Sequence, residues 1–148
     1  MALQSNEVVV TGSEDATAKL LSLTSGKVLG TLVGHRSTVE AVGCCDAQPF
    51  IATGSDDGRV MLWDAQATVV RQTCEHDAAV TRLQWVGGTC LFYTSATDGN
   101  IRLWDARTGK CERKWTGHSD AVLDMWVSPN GKIVCTASDD GTARIFVV

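Results

Sequence analysis

The sequence predicts an all-β fold, an array of four-stranded antiparallel units, and three observations carry that expectation. Asp15, Asp57, Asp98 and Asp140 recur at steps of 42, 41 and 42 residues. Three of these aspartates precede glycine, in Asp57-Gly58, Asp98-Gly99 and Asp140-Gly141. Glycine admits positive φ, so Asp-Gly between two alternating segments marks a tight hairpin. Before each turn runs a β-rich segment with threonine four residues ahead of the aspartate: Thr11, Thr53, Thr94 and Thr136.

The elements follow in order within each unit. His35, His76 and His118 come after Gly34, Glu75 and Gly117, and four residues later Val39, Val80 and Val122 open an apolar run, the candidate innermost strand. The threonine segment is the second strand. The aspartate turn leads to a third, ending near the position six residues after the aspartate: Leu21, Trp63, Trp104 and Phe146. Gly26-Lys27 and Gly109-Lys110 read as hairpin turns between outer strands, and Asn130-Gly131 as a turn after an inner one. Asp15-Ala16 replaces Asp-Gly in the first unit, so that turn is expected to be less regular. The tally is fourteen strands in units spanning 8–35, 36–76, 77–118 and 119–148, the first and last incomplete.

A period near forty residues with four short strands per unit is the signature of propeller blades. Propellers close on themselves with four or more blades, which protects strand edges. About 3.5 blades therefore read as a partial propeller, its missing outer strand expected from an amino-terminal segment of a longer chain. The missing inner strand is expected before Val8.

On these residues the chain resembles the WD-repeat β-propeller family. That resemblance implies a hydrogen-bonded tetrad of His, Ser/Thr, Asp and Trp in each repeat. His35, Thr53, Asp57 and Trp63 are one complete set, and His76, Thr94, Asp98 and Trp104 a second. His118, Thr136 and Asp140 lack the indole because Phe146 stands in its place; Thr11 and Asp15 have neither His nor Trp. A complete buried network rigidifies a blade and an incomplete one should soften it. Narrower strings, Thr11-Gly12-Ser13 to Ala18-Lys19-Leu20, Ile101 to Gly109 and Ala143 to Val147, are similar to the carboxy-terminal half of the angio-associated migratory cell protein family. This implies a cytoplasmic, non-enzymatic scaffold linked to cell migration. Distant relatives of that family imply an alternative, a chaperone-like binder of a basic ribosomal protein, cytoplasmic or nuclear. A truncated fragment without an independent role is a further alternative.

The composition suits a soluble domain in a reducing compartment. The chain has 148 residues, 44% of them apolar, and Met1 to Glu7 is short and polar. Nothing approaches the roughly 20 consecutive apolar residues of a membrane helix. Cys44, Cys45, Cys74, Cys90, Cys111 and Cys135 show no paired spacing, and adjacent Cys44 and Cys45 point to opposite strand faces. They read as small packing residues. No metal and no cofactor are expected, since neither Cys-x-x-Cys nor a close His pair occurs. The Gly-Lys pairs lack the glycine five residues earlier that a phosphate loop needs. His, Asp and hydroxyl residues recurring at a fixed period describe a structural network and not a single strained nucleophile, so no catalytic residue is assigned. Trp85 is expected in the core, and Trp126, next to Met125 on a strand, at an inter-blade or edge contact.

The net charge of −4 is unevenly placed. Glu14, Asp56 and Asp139 precede turn aspartates, as Thr97 does, while Arg36, Asp77 and Ser119 follow the repeat histidines. In the resembled family both sets lie on one wide face, making Glu14, Arg36, Asp56, Asp77 and Asp139 candidate partner contacts. A face of one sign steers oppositely charged partners. Other proteins, through a basic segment, are expected in preference to nucleic acid, with the rest of a propeller or self-association covering the strand edges.

Overall fold

A computed structural model describes residues 7–148, and the Met1–Asn6 part of the polar leader lies outside them. Fourteen strands form four antiparallel sheets, with no helix among the described residues. Sheet 1 holds β1 (Val8–Gly12), β2 (Thr17–Ser22) and β3 (Val28–Val33). Sheet 2 holds β4 (Val39–Cys44), β5 (Phe50–Ser55), β6 (Arg59–Asp64) and β7 (Val70–Glu75). Sheet 3 holds β8 (Val80–Trp85), β9 (Leu91–Ala96), β10 (Ile101–Asp105) and β11 (Lys110–Trp115). Sheet 4 holds β12 (Val122–Val127), β13 (Ile133–Ser138) and β14 (Ala143–Val147). Every sheet is a meander of sequential neighbours, the architecture of a partial propeller.

The strands of sheet 1 match the second, third and fourth of a full blade. β1 packs beside β4 as β5 does beside β8, and the bulge between Leu20 and Leu21 recurs between Leu62 and Trp63 and between Leu103 and Trp104. Period-two alternation sorts each strand's residues to two faces. Val10, Ala18 and Leu20 face the following sheet, as do Ala52, Val60 and Leu62 one period later. The core therefore lies in layers: Val10, Leu32, Ile51 and Trp63 between sheets 1 and 2; Val60, Val80, Phe92 and Trp104 between sheets 2 and 3; Tyr93, Ile101, Met125 and Val134 between sheets 3 and 4.

The first turn shares its left-handed residue with the others but lacks, among the described residues, the closing bond that Gly58, Gly99 and Gly141 N donate to the carbonyl three residues before, the irregularity expected of Asp15-Ala16. Ala16 adopts φ 64°, the left-handed conformation that Gly58, Gly99 and Gly141 adopt at 78°, 75° and 77°. Asp15 Oδ1 accepts from Thr17 N at 2.9 Å, just as Asp140 Oδ1 accepts from Thr142 N at 2.9 Å. The side-chain bond thus accompanies the same left-handed residue with or without glycine. An L-residue there is strained by roughly 1–2 kcal/mol.

Packing also decides the additional tryptophans. Trp85 is buried against Phe92 at a ring separation of 5.0 Å, yet its indole Nε1 has no hydrogen-bond partner among the described residues. Trp126 stands on sheet 4, 54% exposed. Cys44, Cys45 and Cys74 are buried, and no disulfide joins any of the six cysteines among the described residues. Burial pushes the Cys44 thiol up to about 11 and Cys74 up to about 12, the behaviour of packing residues.

Candidate functional site

In a meander, successive connections alternate between the two ends of a sheet. The Asp turns and the loops from each fourth strand to the next first strand therefore share one end. Backbone bonds tie them together: Asp56 N donates to Thr38 O at 3.1 Å, Thr97 N to Ala79 O at 2.9 Å and Asp139 N to Ala121 O at 2.9 Å. His76 N also donates to Gly58 O at 2.8 Å, which fastens the turn of sheet 2 to the loop entering sheet 3. Gly99 has no room for a side chain in the equivalent place, since a Cβ would lie 2.6 Å from His118 O.

Beneath this rim the histidines anchor each loop. The Asp57 carboxylate can only accept, so His35 Nδ1–H donates to it at 3.1 Å. In the neutral ring the Thr53 hydroxyl then donates to Nε2 at 2.7 Å and accepts from Trp63 Nε1–H at 2.9 Å. Asp57 also accepts from Arg36 N and from the Arg59 guanidinium, at 2.9 and 2.6 Å. Burial alone would raise the Asp57 pKa, but the Arg59, Arg36 and His35 hydrogen bonds outweigh it and hold the carboxyl down at about 2.

The second set is arranged differently. His76 Nε2 meets Thr94 Oγ1 at 2.8 Å and Trp104 Nε1 donates to the same hydroxyl at 3.0 Å. His76 Nδ1–H, however, points to Cys74 O at 3.4 Å. Asp98 is taken by Arg102, whose Nη2 donates at 2.5 Å and whose side chain is 5% exposed. A buried guanidinium needs a carboxylate more than a neutral imidazole does, so the expected four-membered network lacks its His–Asp link. Burial, then the Arg102 charge, lowers the His76 pKa to about 4.

The third set is tighter than its missing indole implied. His118 Nδ1–H donates to Asp140 at 2.8 Å and its Nε2 meets Thr136 Oγ1 at 2.7 Å, with Phe146 edge-on to the imidazole at 6.4 Å. Thr142 supplies a hydroxyl donor to Asp140 at 2.6 Å, and this bond leads the effects that hold the Asp140 carboxyl well below the usual range. Among the described residues Asp15 and Thr11 take no part in a histidine network, and Asp15 bonds locally, to Ser13 and Thr17.

Arg59 and Arg102, two and four residues beyond their aspartates, escaped sequence reasoning, although Lys19 and Arg144 repeat the basic residue four positions after the aspartate. Ser55 and Ser138 were missed too; each donates to the loop carbonyl across the rim, Ser37 O and Asp120 O, at 3.0 and 3.1 Å. Their signal was legible, a serine two residues before the aspartate in Ser13, Ser55 and Ser138.

Glu14, Arg36, Asp56, Asp77 and Asp139 are all exposed on the rim, and Asp120 joins them. Asp77 reaches inward only weakly, 3.8 Å from Arg102. These residues make the rim acidic and exposed. Among the described residues no group of three or more His, Cys, Asp and Glu is placed to hold a metal ion, and no helix is long and apolar enough to cross a membrane.

Comparison with known proteins matches the WD domain, G-beta repeat model at residues 26–64, 68–105 and 109–146. Each matched repeat starts with or just before the fourth strand of one sheet and continues through the first three of the next, so consecutive repeats interlock. Angio-associated migratory cell protein of Homo sapiens is 35% identical over 99% of this chain and 37% of its own length. An uncharacterized WD repeat-containing protein of Schizosaccharomyces pombe is 33% identical over 94% of this chain and 35% of its own. Nuclear distribution protein PAC1 of Arthroderma otae is 28% identical over 93% and 32%. The chain spans about a third of the length of these relatives.

Proposed function

The chain belongs to the WD domain, G-beta repeat family, and on that premise we propose that it is a non-catalytic scaffold whose acidic rim docks a basic segment of another protein. The observation that carries this reading is the row of exposed acids, Glu14, Asp56, Asp77, Asp120 and Asp139, with Arg36 as their one exposed basic neighbour among the candidate contacts. The histidine networks hold the loops that present these acids, so the ligand meets a preformed surface and little ordering entropy opposes binding. The similarity to angio-associated migratory cell protein supports a role in cell migration, within the cytoplasm. A lysine- and arginine-rich tail of a new ribosomal protein would meet the same chemistry, which makes chaperoning the second reading.

A fluorescent Lys/Arg-rich peptide titrated by anisotropy tests the site. Binding should weaken steeply with salt, because exposed charges are screened beyond roughly 8 Å at physiological ionic strength. A variant carrying Glu14→Gln, Asp56→Asn, Asp77→Asn and Asp139→Asn should lose most of that affinity and its salt dependence. Unchanged affinity in this variant at every salt concentration would refute the acidic-rim reading.

A further inference from the structure

Two cysteines from different sheets meet at the end of the molecule opposite the aspartate turns. Cys45 follows β4 and is 2% exposed, within the core layer between sheets 2 and 3. Cys90 precedes β9 and packs against the same layer. The Cys45 thiol donates to Thr89 O at 3.3 Å, the carbonyl of the very peptide that carries Cys90, and the two thiols are themselves in hydrogen-bond contact. Sheets 2 and 3 are both complete four-stranded units, so the pair is set wholly by contacts between them.

The fold does not require sulfur at either place. The backbone bond from Cys45 N to Phe50 O recurs from Val86 N to Leu91 O and from Ser128 N to Ile133 O, each at 2.9 Å, which makes Val86 and Ser128 the equivalents of Cys45. The bond from Ala106 N to Cys90 O at 2.9 Å recurs from Ala65 N to Pro49 O at 2.8 Å and from Val148 N to Lys132 O at 3.0 Å, which makes Pro49 and Lys132 the equivalents of Cys90. Where sheet 3 meets sheet 4, the corresponding residues are therefore Val86 and Lys132.

The two thiols differ in access. Cys45 is closed off from solvent, and burial pushes its thiol up. Cys90 is half-buried and lines a pocket of about 340 Å³ with Ala47, Thr89 and Arg107, which has room for a small polar oxidant.

We infer that Cys90 and Cys45 are a peroxide-responsive pair, in which Cys90 is oxidised first and Cys45 resolves it as a disulfide that ties sheet 2 to sheet 3. The Cys90 thiolate sulfur attacks one oxygen of hydrogen peroxide and the O–O bond breaks. Hydroxide departs beside the Arg107 charge and takes up the proton of the Cys90 thiol as water, leaving a sulfenic acid. The Cys45 sulfur then attacks the Cys90 sulfur; the S–S bond forms, the S–O bond breaks, and hydroxide leaves with the Cys45 proton as a second water. Two thiols are thus oxidised to one disulfide while one peroxide is reduced to two waters. A bridge of this kind is transient and redox-sensing where glutathione keeps thiols reduced. It closes a loop from residue 45 to residue 90 and so restricts the unfolded chain, while the acidic rim lies at the other end of the sheets.

Peroxide titration of the purified chain, quenched with N-ethylmaleimide and read by mass spectrometry, tests the pair. The oxidised chain should lose two of its six thiols and the mass of two hydrogen atoms. Its tryptic digest should contain peptide 37–59 joined to peptide 83–102, and Cys44→Ala should leave that link intact, which assigns it to Cys45. Cys45→Val, carrying the residue that sheet 3 has at this place, should abolish the disulfide and leave on Cys90 a sulfenic acid that dimedone traps. Cys90→Ser should abolish both products. The oxidised wild type should melt above the reduced one, with the difference removed by dithiothreitol and absent from Cys45→Val. A wild type inert to peroxide, a bridge between another pair such as Cys74 and Cys111 or between two chains, or a disulfide that survives Cys45→Val would each overturn the inference. So would the lack of a dimedone adduct on Cys90 in Cys45→Val, or an oxidised chain that melts no higher than the reduced one. Binding of the basic peptide is read at the opposite end of the sheets with the thiols kept reduced, so the acidic-rim reading stands or falls separately.

Discussion

Replacing Asp57 with alanine removes an acceptor shared by His35, Arg36 and Arg59. His35 Nδ1–H lies 3.1 Å away, Arg36 N–H 2.9 Å and the Arg59 guanidinium 2.6 Å, and the Asp57 side chain is only 6% exposed. Deleting one partner of a buried, hydrogen-bonded ion pair costs about 3–5 kcal/mol. Arg59 is 15% exposed at its side chain and can turn partly to water, which places the expectation at the low end, about 3 kcal/mol. For a domain of this size each 1 kcal/mol shifts Tm by about 2–4 °C, so Asp57→Ala should lower it by roughly 6–12 °C. Asp56→Ala, at the exposed neighbouring position, should stay within about 0.5 kcal/mol. Asp57→Asn, which keeps an acceptor but not the charge, should fall between them. Thermal melts followed by circular dichroism decide the matter. Equal shifts for Asp57→Ala and Asp56→Ala would refute the argument that the rim is held from beneath by this carboxylate.

Other substitutions probe the same logic in neighbouring sheets. Asp98→Ala strands the buried Arg102, whose other carboxylate neighbour is 3.8 Å away, and should cost on the order of 3 kcal/mol in denaturant melts; Asp140→Ala, which strands no guanidinium, should cost less, and the reverse order would count against the Arg102 account. Because the His76 pKa is lowered from 6.5 to about 4, the unfolded chain takes up a proton between those values that the folded chain does not. Stability contributed above pH 6.5 is therefore lost as pH falls toward 4. His76→Gln should flatten that part of the Tm profile, and an unaltered slope would exclude His76 as its source. Below pH 3.8 the loss should deepen as Asp57 and Asp98 protonate toward about 2. Ala16→Gly should stabilise by about 1 kcal/mol by relieving the left-handed alanine, detectable as a raised Tm; a lowered Tm would show that the alanine is unstrained. Trp85→Phe deletes an unpaired buried N–H and should remain within about 1 kcal/mol of the parent, whereas Trp63→Phe breaks a bond to Thr53 and should cost more; equal losses would contradict the unpaired state of Trp85.

The strand order and sheet count were legible in the sequence because they follow from local signals repeated at fixed spacing. Asp-Gly turns need only a glycine that tolerates positive φ, and alternation needs only a solvent side and a core side. The places of the repeat histidines His35, His76 and His118, of Thr53, Thr94 and Thr136, and of Trp63, Trp104 and Phe146 followed from the same period. Ala16 shows the limit of the local rule, since the left-handed residue occurs there without glycine, accompanied by the Asp15 bond from Thr17. The partners of Asp57, Asp98 and Asp140 were not legible, because each carboxylate chooses among donors brought together by folding. Arg102 is buried between two sheets and must have a carboxylate, so it takes Asp98 and leaves His76 to a backbone carbonyl. The exposed equivalent Arg144 makes no such demand, and Asp140 keeps His118. Sequence periodicity thus determined which residues stand at each place in a blade, while tertiary burial decided which charges compete there, because desolvation is a property of the packed sheets and not of the spacing along the chain.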